Sequence, residues 1–441
     1  MNATVGSALK GSHPKELTLY LVAISLIALI YLVQLASPLR LNTDAVTLLS
    51  MACNAEDGRG FVEQGHTTQF PIGYPLVILT LIKAHLACSA SFIAVNLICL
   101  AIALFQFSKI ARWYWAAPSR RIACVIALFL LAFPTIKHVT IPLTEMPFAA
   151  MMMSSLRCLT EWNHQRNGVV RRSWGMLLLG SVLAVASIFI RTLGIALLPA
   201  LVGAIVLDPP TKAWLLRRSK RPLTLVPILI GVVIIAGAAF WHISNTKYFR
   251  SFVAQAHQPG VLLKTAFVGR LTDATELFCN LPIEKLAHLP MVYLLGIVPV
   301  ALIVLGFIRR KRLGTLEIFL LCYIGIMVIW PYRDARFWIP VLPFMLVIAN
   351  DGFESIQIPV IKPFIKYVYL AVFSLAGLAA LGSSTRLSIA GDRFADLYGA
   401  PATRATYQTA FGRPADPSLT PFPDWIELLQ RLEPRAKHHS A

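Results

Sequence analysis

Apolar runs of membrane-spanning length recur along the whole chain, and they constrain the fold more than any other feature. They cover residues 17–37, 91–108, 122–138, 148–160, 174–190, 195–207, 223–243, 290–308, 315–331, 337–350 and 367–383. A helix crossing the hydrocarbon needs about 20 apolar residues, so several of these runs are short and imply tilted or broken crossings. Their continuity argues against a barrel, whose strands alternate in polarity over about ten residues. Of the 441 residues 57% are hydrophobic and only 14% charged, with a mean hydropathy of +0.67. That leaves too little polar surface to cover a soluble core. The expected fold is all-α: a polytopic membrane protein of about eleven transmembrane helices.

Charge sets the orientation. The net charge of +19 resides largely in short loops between apolar runs. Those loops hold Lys109, Arg112, Arg120 and Arg121, then Arg166, Arg171 and Arg172, then the stretch 208–222, then Arg309 to Arg312. This is the pattern of cytoplasmic loops, which excludes nucleic acid as a partner. It places the N-terminus inside and the C-terminus outside. The run 72–88 is interrupted by Lys83 and His85; reading it as interfacial or re-entrant keeps every later basic loop inside. The expected organisation is a membrane domain, 1–383, with external loops at 38–90 and 244–287, and an external tail, 384–441. The seven cysteines show no metal-ligand spacing, and Cys53 and Cys279 are the two that would meet outside the membrane.

With that topology, Asp44, Glu145, Arg191, Arg333, Asp334 and Arg336 fall at the outer face although they come from separate stretches. Ionisable groups at this depth are costly and tend to face a cavity or one another. Arginine forks bind phosphate bidentately, and a carboxylate takes the proton of an attacking hydroxyl. Asp44 is the candidate base and Glu145 a second acid; Arg191, Arg336 and Arg333 are the candidate phosphate ligands. Each acid also has an ordinary reading as a helix-start residue. Asn42, Thr43 and Asp44 are all capping types, and Glu145 precedes Pro147. His66 and His257 are isolated loop histidines and are not assigned a role.

Four stretches carry a family resemblance: Asp44 with Gly58-Arg59-Gly60-Phe61, Phe70-Pro71-Ile72-Gly73-Tyr74-Pro75-Leu76, Leu143-Thr144-Glu145-Met146-Pro147-Phe148, and Ala335-Arg336-Phe337-Trp338-Ile339-Pro340-Val341-Leu342-Pro343. Arg191-Thr192-Leu193-Gly194 adds a fifth element. Together, over residues 17–350, they resemble the membrane glycosyltransferases of the GT-C superfamily, in particular bacterial relatives of protein mannosyltransferases and of the lipid A aminoarabinose transferase. The resemblance implies a bacterial inner-membrane enzyme with its active site on the periplasmic side. It implies a polyprenyl-phosphate-linked sugar as donor, a lipid, glycan or protein hydroxyl as acceptor, and inversion at the sugar carbon. Asp44 takes the base role and Glu145 a second acidic role, with Arg191 and Arg336 on the donor phosphate. No nucleotide is expected; a divalent metal beside Asp44 and Glu145 stays open, though no ligand spacing demands one. The sequence departs from the family at Ile72, where a second proline is usual, and at Ala45, where protein mannosyltransferases carry a second acid. The rival readings are a flippase of lipid-linked sugars and a polymerase or ligase of undecaprenyl-linked glycans.

Overall fold

The computed structural model describes residues 14–37, 39–40, 42–63, 66–67, 70–164, 174–206, 253–254, 257–282, 290–310, 313–330, 332–357 and 361–390. The basic stretch 208–222, the expected span 223–243 and the tail beyond residue 390 lie outside the described residues. What is described is helical, apart from a two-stranded hairpin pairing Val62–Glu63 with His66–Thr67. In chain order the helices are α1 (Pro14–Val33), α2 (Thr43–Glu56), α3 (Gly73–Lys83), α4 (Ser89–Trp113), α5 (Ser119–Leu131), α6 (Phe133–Val139), α7 (Glu145–His164), α8 (Trp174–Ile190) and α9 (Leu197–Val206). They continue with α10 (Pro259–Lys264), α11 (Arg270–Cys279), α12 (Pro290–Arg310), α13 (Thr315–Ile329), α14 (Leu342–Ser355) and α15 (Lys362–Ala390). The protein is a polytopic, all-helical membrane protein.

Among the described residues five helical segments are long and apolar enough to cross a bilayer: Leu17–Ala36, Ser89–Trp113, Pro290–Arg310, Ala335–Ser355 and Lys362–Ile389. A sixth crossing is made if α5 and α6, bent by 60° at their junction, count as one. The other expected runs that fall among the described residues form shorter apolar helices or, in α7, a helix whose second half carries the Arg157–Glu161 ion pair at 3.5 Å. α3 has 11 residues and rises about 16 Å, roughly half the hydrocarbon thickness.

Burial separates a centre from a rim. The segment Ala335–Ser355 is 78% buried, whereas the first and last spans are each 17% buried. The first half of α14, Leu342 to Ala349, is apolar on all sides, with Leu342, Phe344, Val347 and Ile348 each at or below 1% exposure, as expected of a helix enclosed by others. α12 packs along it, and Phe107 and Trp115 meet Phe344 edge-on at 5.4 and 5.7 Å.

Polar side chains repair the backbone where helices break. Pro134 follows the bend between α5 and α6, and backbone groups freed inside a membrane need partners from elsewhere in the protein. Asn280 supplies them. Its Nδ2 donates to the carbonyls of Leu131 (2.9 Å) and Phe373 (3.0 Å), and its Oδ1 accepts from the Phe133 amide (2.6 Å). Asn280 itself takes the left-handed conformation, φ 58°, which asparagine tolerates. A second network moves the expected start of the tail. α15 runs to Ala390, seven residues past the expected boundary at 383, because Ser384 and Ser388 donate to Gln34 at 3.0 and 2.8 Å. Arg40 donates to the same two hydroxyls at 3.1 and 2.9 Å. Among the cysteines, Cys53 and Cys279 are both free, so the pairing between them is not formed.

Candidate active site

Asp44 reaches the site because a neighbour takes its capping duty. Asn42 is the N-cap of α2 and accepts from the Ala45 amide at 2.8 Å, so the Asp44 carboxylate is not spent on the helix end. Behind it Ala45, Val46, Leu48, Leu49, Met51 and Ala52 are buried and fix the helix, while the Asp44 side chain keeps 26% exposure. It forms an ion pair with Arg336 Nη2, 292 residues away in sequence.

Glu145 opens α7 and is 2% exposed. The chain leading to it is fixed by Asn96, whose Nδ2 donates to the carbonyls of Val139 (3.0 Å) and Ile141 (2.8 Å). Glu145 Oε1 lies 2.9 Å from Arg191 Nη1 and 3.6 Å from Arg336 Nε. Its other oxygen, Oε2, is buried without a hydrogen-bond partner. Burial pushes this carboxyl up, but Arg191 and Arg336 outweigh that and hold it at about 2, below its ordinary value. Glu145 is thus a fixed negative charge between two arginines.

Arg191 stands at the break between α8 and the 3-10 turn Thr192–Ala196. That turn folds back onto α8 so closely that a Cβ on Gly194 would lie 2.6 Å from Ser187 Oγ, which explains the glycine. Gly73 at the start of α3 has the same role: a Cβ there would lie 2.6 Å from the Phe189 carbonyl oxygen. Arg336 lies in the 3-10 turn Ala335–Val341, capped by Asp334, whose Oδ1 accepts from the Arg336 amide at 2.9 Å. Asp334 Oδ2 also lies 2.8 Å from Arg336 Nε. The Phe337 ring packs against both guanidinium groups, 4.7 Å from Arg191 Cζ and 5.0 Å from Arg336 Cζ, and contributes cation–π attraction to each.

Of the five residues expected in the site, four therefore meet directly: Asp44, Glu145, Arg191 and Arg336. Arg333 is exposed beside them and makes no hydrogen bond or ion pair among the described residues. Three groups without a sequence assignment join the cluster. Asp334 holds Arg336. Thr144 accepts from Arg191 Nη1 at 3.4 Å. His138, 4% exposed, is held by its Nδ1 at 2.8 Å from the Pro134 carbonyl and feels the charges of Asp334, Glu145 and Arg336. The sequence contained one pointer to His138: Lys137-His138 ends the apolar run 122–138 at the same face as Glu145. His257 is exposed in a turn apart from these contacts.

The cluster holds three carboxylates and two guanidinium groups, drawn from α2, α7, the break after α8 and the 334–341 segment, with Arg333 exposed next to it. It joins an anchored arginine pair suited to a phosphate with a half-exposed carboxylate suited to a proton. Among the described residues no group of three or more His, Cys, Asp or Glu side chains is arranged to hold a metal ion.

No family model matches the chain, and no curated protein matches it. Among solved structures it is similar to the crystal structure of ArnT from Cupriavidus metallidurans bound to undecaprenyl phosphate. The identity is 14% and the TM-score 0.45, over 90% of this chain and 78% of that one. A likeness of that size assigns no family.

Proposed function

We propose that this protein is an inverting glycosyltransferase that moves a sugar from a polyprenyl-phosphate carrier to a hydroxyl at the outer face of the membrane. The acceptor hydroxyl belongs to a lipid, a glycan or a protein. The observation that carries the reading is the meeting of Asp44, Glu145, Arg191 and Arg336 at one end of the helix bundle. The motif likeness to the GT-C glycosyltransferases supports it, since the same four residues lie in the stretches that carry the likeness.

In the reaction the acceptor oxygen attacks the sugar's anomeric carbon as the bond from that carbon to the phosphate oxygen breaks. The acceptor proton passes to Asp44, and the polyprenyl phosphate leaves with an additional negative charge. Preorganised cations aimed at such a developing charge lower the barrier. Arg191 and Arg336 fill that role, with Arg333 at the entrance. Glu145 is the poorer base, because its two arginines hold its proton affinity low. Its role is to keep both guanidinium groups in place. Asp44 is paired with Arg336. A phosphate that recruits Arg336 frees Asp44 to accept a proton, so donor binding precedes base activation.

The test is polyprenyl-phosphate release from the purified protein in detergent. A panel of polyprenyl-phosphate sugars serves as donors and a membrane extract as acceptor, with wild type and Asp44→Asn run in parallel. Sugar-dependent release that disappears in the variant supports the transferase. Equal release by both proteins, or none from any donor, removes Asp44 from the base role and favours a flippase of lipid-linked sugars.

A further inference from the structure

Arg333 and Asp334 precede the 3-10 turn Ala335–Val341 that carries Arg336, and the described residues 330 and 332–334 between α13 and that turn are not helical. The backbone of this stretch must find partners elsewhere, since buried amide and carbonyl groups are rarely left unpaired. Those partners come from α11. Arg270 Nη2 donates to the carbonyls of Tyr332 (2.7 Å) and Trp330 (3.2 Å). Arg270 Nη1 binds Asp273 Oδ2 at 2.7 Å, and the same Oδ2 accepts from Trp338 Nε1 at 3.1 Å. The ion pair thus holds the stretch at both ends, with Arg336 between the two anchor points. Arg270 and Asp273 are 7% and 3% exposed, and neither contacts Asp44, Glu145 or Arg191 through any bond described above.

A buried ion pair contributes little net stability compared with well-packed apolar side chains, so its presence calls for another role. Burial, with a smaller push from Asp334, raises the Asp273 carboxyl to about 6 against the opposing pull of Arg270, the Trp338 indole and Arg333. The π-helical turn Thr265–Gly269 immediately before Arg270 has the form of a one-turn bulge, a feature frequent at functional sites.

We infer that Arg270, Asp273 and Trp338 are positioning residues: together they fix the 330–338 stretch so that the Arg336 guanidinium is presented to a phosphate-bearing ligand. The phosphate part of this statement rests on the reading given under Proposed function. The fixing of the stretch does not.

Two measurements on the full-length protein in detergent test the inference. Trp338→Phe removes the indole donor and retains an aromatic ring; Asp273→Asn retains an acceptor for the indole but leaves Arg270 without its counter-charge. Amide hydrogen exchange across 330–338 should accelerate about tenfold or more in Trp338→Phe, with α7 unchanged. Unchanged exchange in both variants overturns the inference. Affinity for undecaprenyl phosphate should fall about tenfold in Trp338→Phe and should not fall further when the same change is made in an Arg336→Gln background. An equal loss in both backgrounds overturns it, because a general structural effect would not depend on Arg336. If wild type does not bind undecaprenyl phosphate while exchange at 330–338 still accelerates, the positioning role stands and the donor reading falls.

Discussion

The two ends of the bundle both carry charge, and they use it differently. About 25 Å from Arg336, measured along the 335–341 turn and α14, lies Asp351 at the other end. It receives Arg121 Nη1 at 2.6 Å and Arg310 Nε at 2.9 Å. Glu317 accepts from Tyr114 (2.6 Å), the Trp115 indole (3.2 Å) and the Gly314 amide (3.1 Å). Glu354 is taken by Lys362 and Lys366 at 3.0 and 3.1 Å. Each of these three carboxylates has donors to its oxygens, although Glu354 stays 34% exposed. At the Asp44 end, one oxygen of Glu145 has no hydrogen-bond partner among the described residues, Asp44 is partly exposed, and Arg333 is exposed and makes no hydrogen bond or ion pair among them. A saturated cluster ties helices together; an incompletely paired one is ready for a ligand.

Substitutions test that contrast. Asp44→Asn should lower turnover by about a hundred- to ten-thousand-fold, the usual contribution of a general base. Its affinity for undecaprenyl phosphate, measured by titration, should be equal to or tighter than that of wild type, because Arg336 is released. Weakened binding would show instead that Asp44 organises the arginines. Glu145→Gln leaves Arg191 and Arg336 buried without their shared counter-charge, and thermal unfolding should report a loss of about 3–5 kcal/mol. The sign of the pH effect follows. The Glu145 carboxyl is held at about 2, below its ordinary 4.5. Its stabilisation is therefore fully present above about 4.5 and is lost as the pH falls through about 2. Unfolding scans across that window should show a fall in wild type that is smaller in Glu145→Gln.

At the other end Asp351→Asn should cost about 2 kcal/mol in the same unfolding assay, while turnover per folded molecule stays within about twofold. A large loss of turnover would erase the distinction between the two ends. Arg333→Ala has the smallest effect. Donor affinity should fall about three- to tenfold and become less sensitive to added salt, as expected of one exposed cation facing a phosphate. An unchanged affinity would remove Arg333 from the donor site.

The sequence was informative where chemistry and hydropathy coincide. Asp44, Glu145, Arg191 and Arg336 were identifiable because charged residues at the ends of apolar runs are rare and their shared face follows from the basic loops. Helices α1, α4, α12 and α15 were identifiable from run length alone. The bend after Leu131 was not, because the residue that makes it tolerable, Asn280, lies 149 positions away from its bonded partner Leu131. The clamp on the 330–338 stretch was hidden for the same reason. Arg270 and Asp273 lie in a segment that reads as a polar loop, and their burial depends on packing that no local pattern encodes. His138 and Asp334 were visible as residues, but their role depends on which neighbours the helices bring beside them.

The pairing of Asp44 with Arg336 also has a consequence for biogenesis. The aspartate is synthesised 292 residues before its partner. At about 5–20 residues per second, that interval is roughly 15–60 s. Glu145 waits for Arg191 a much shorter time, because only 46 positions separate them. Asp44 therefore exists well before its counter-charge, whereas Glu145 does not.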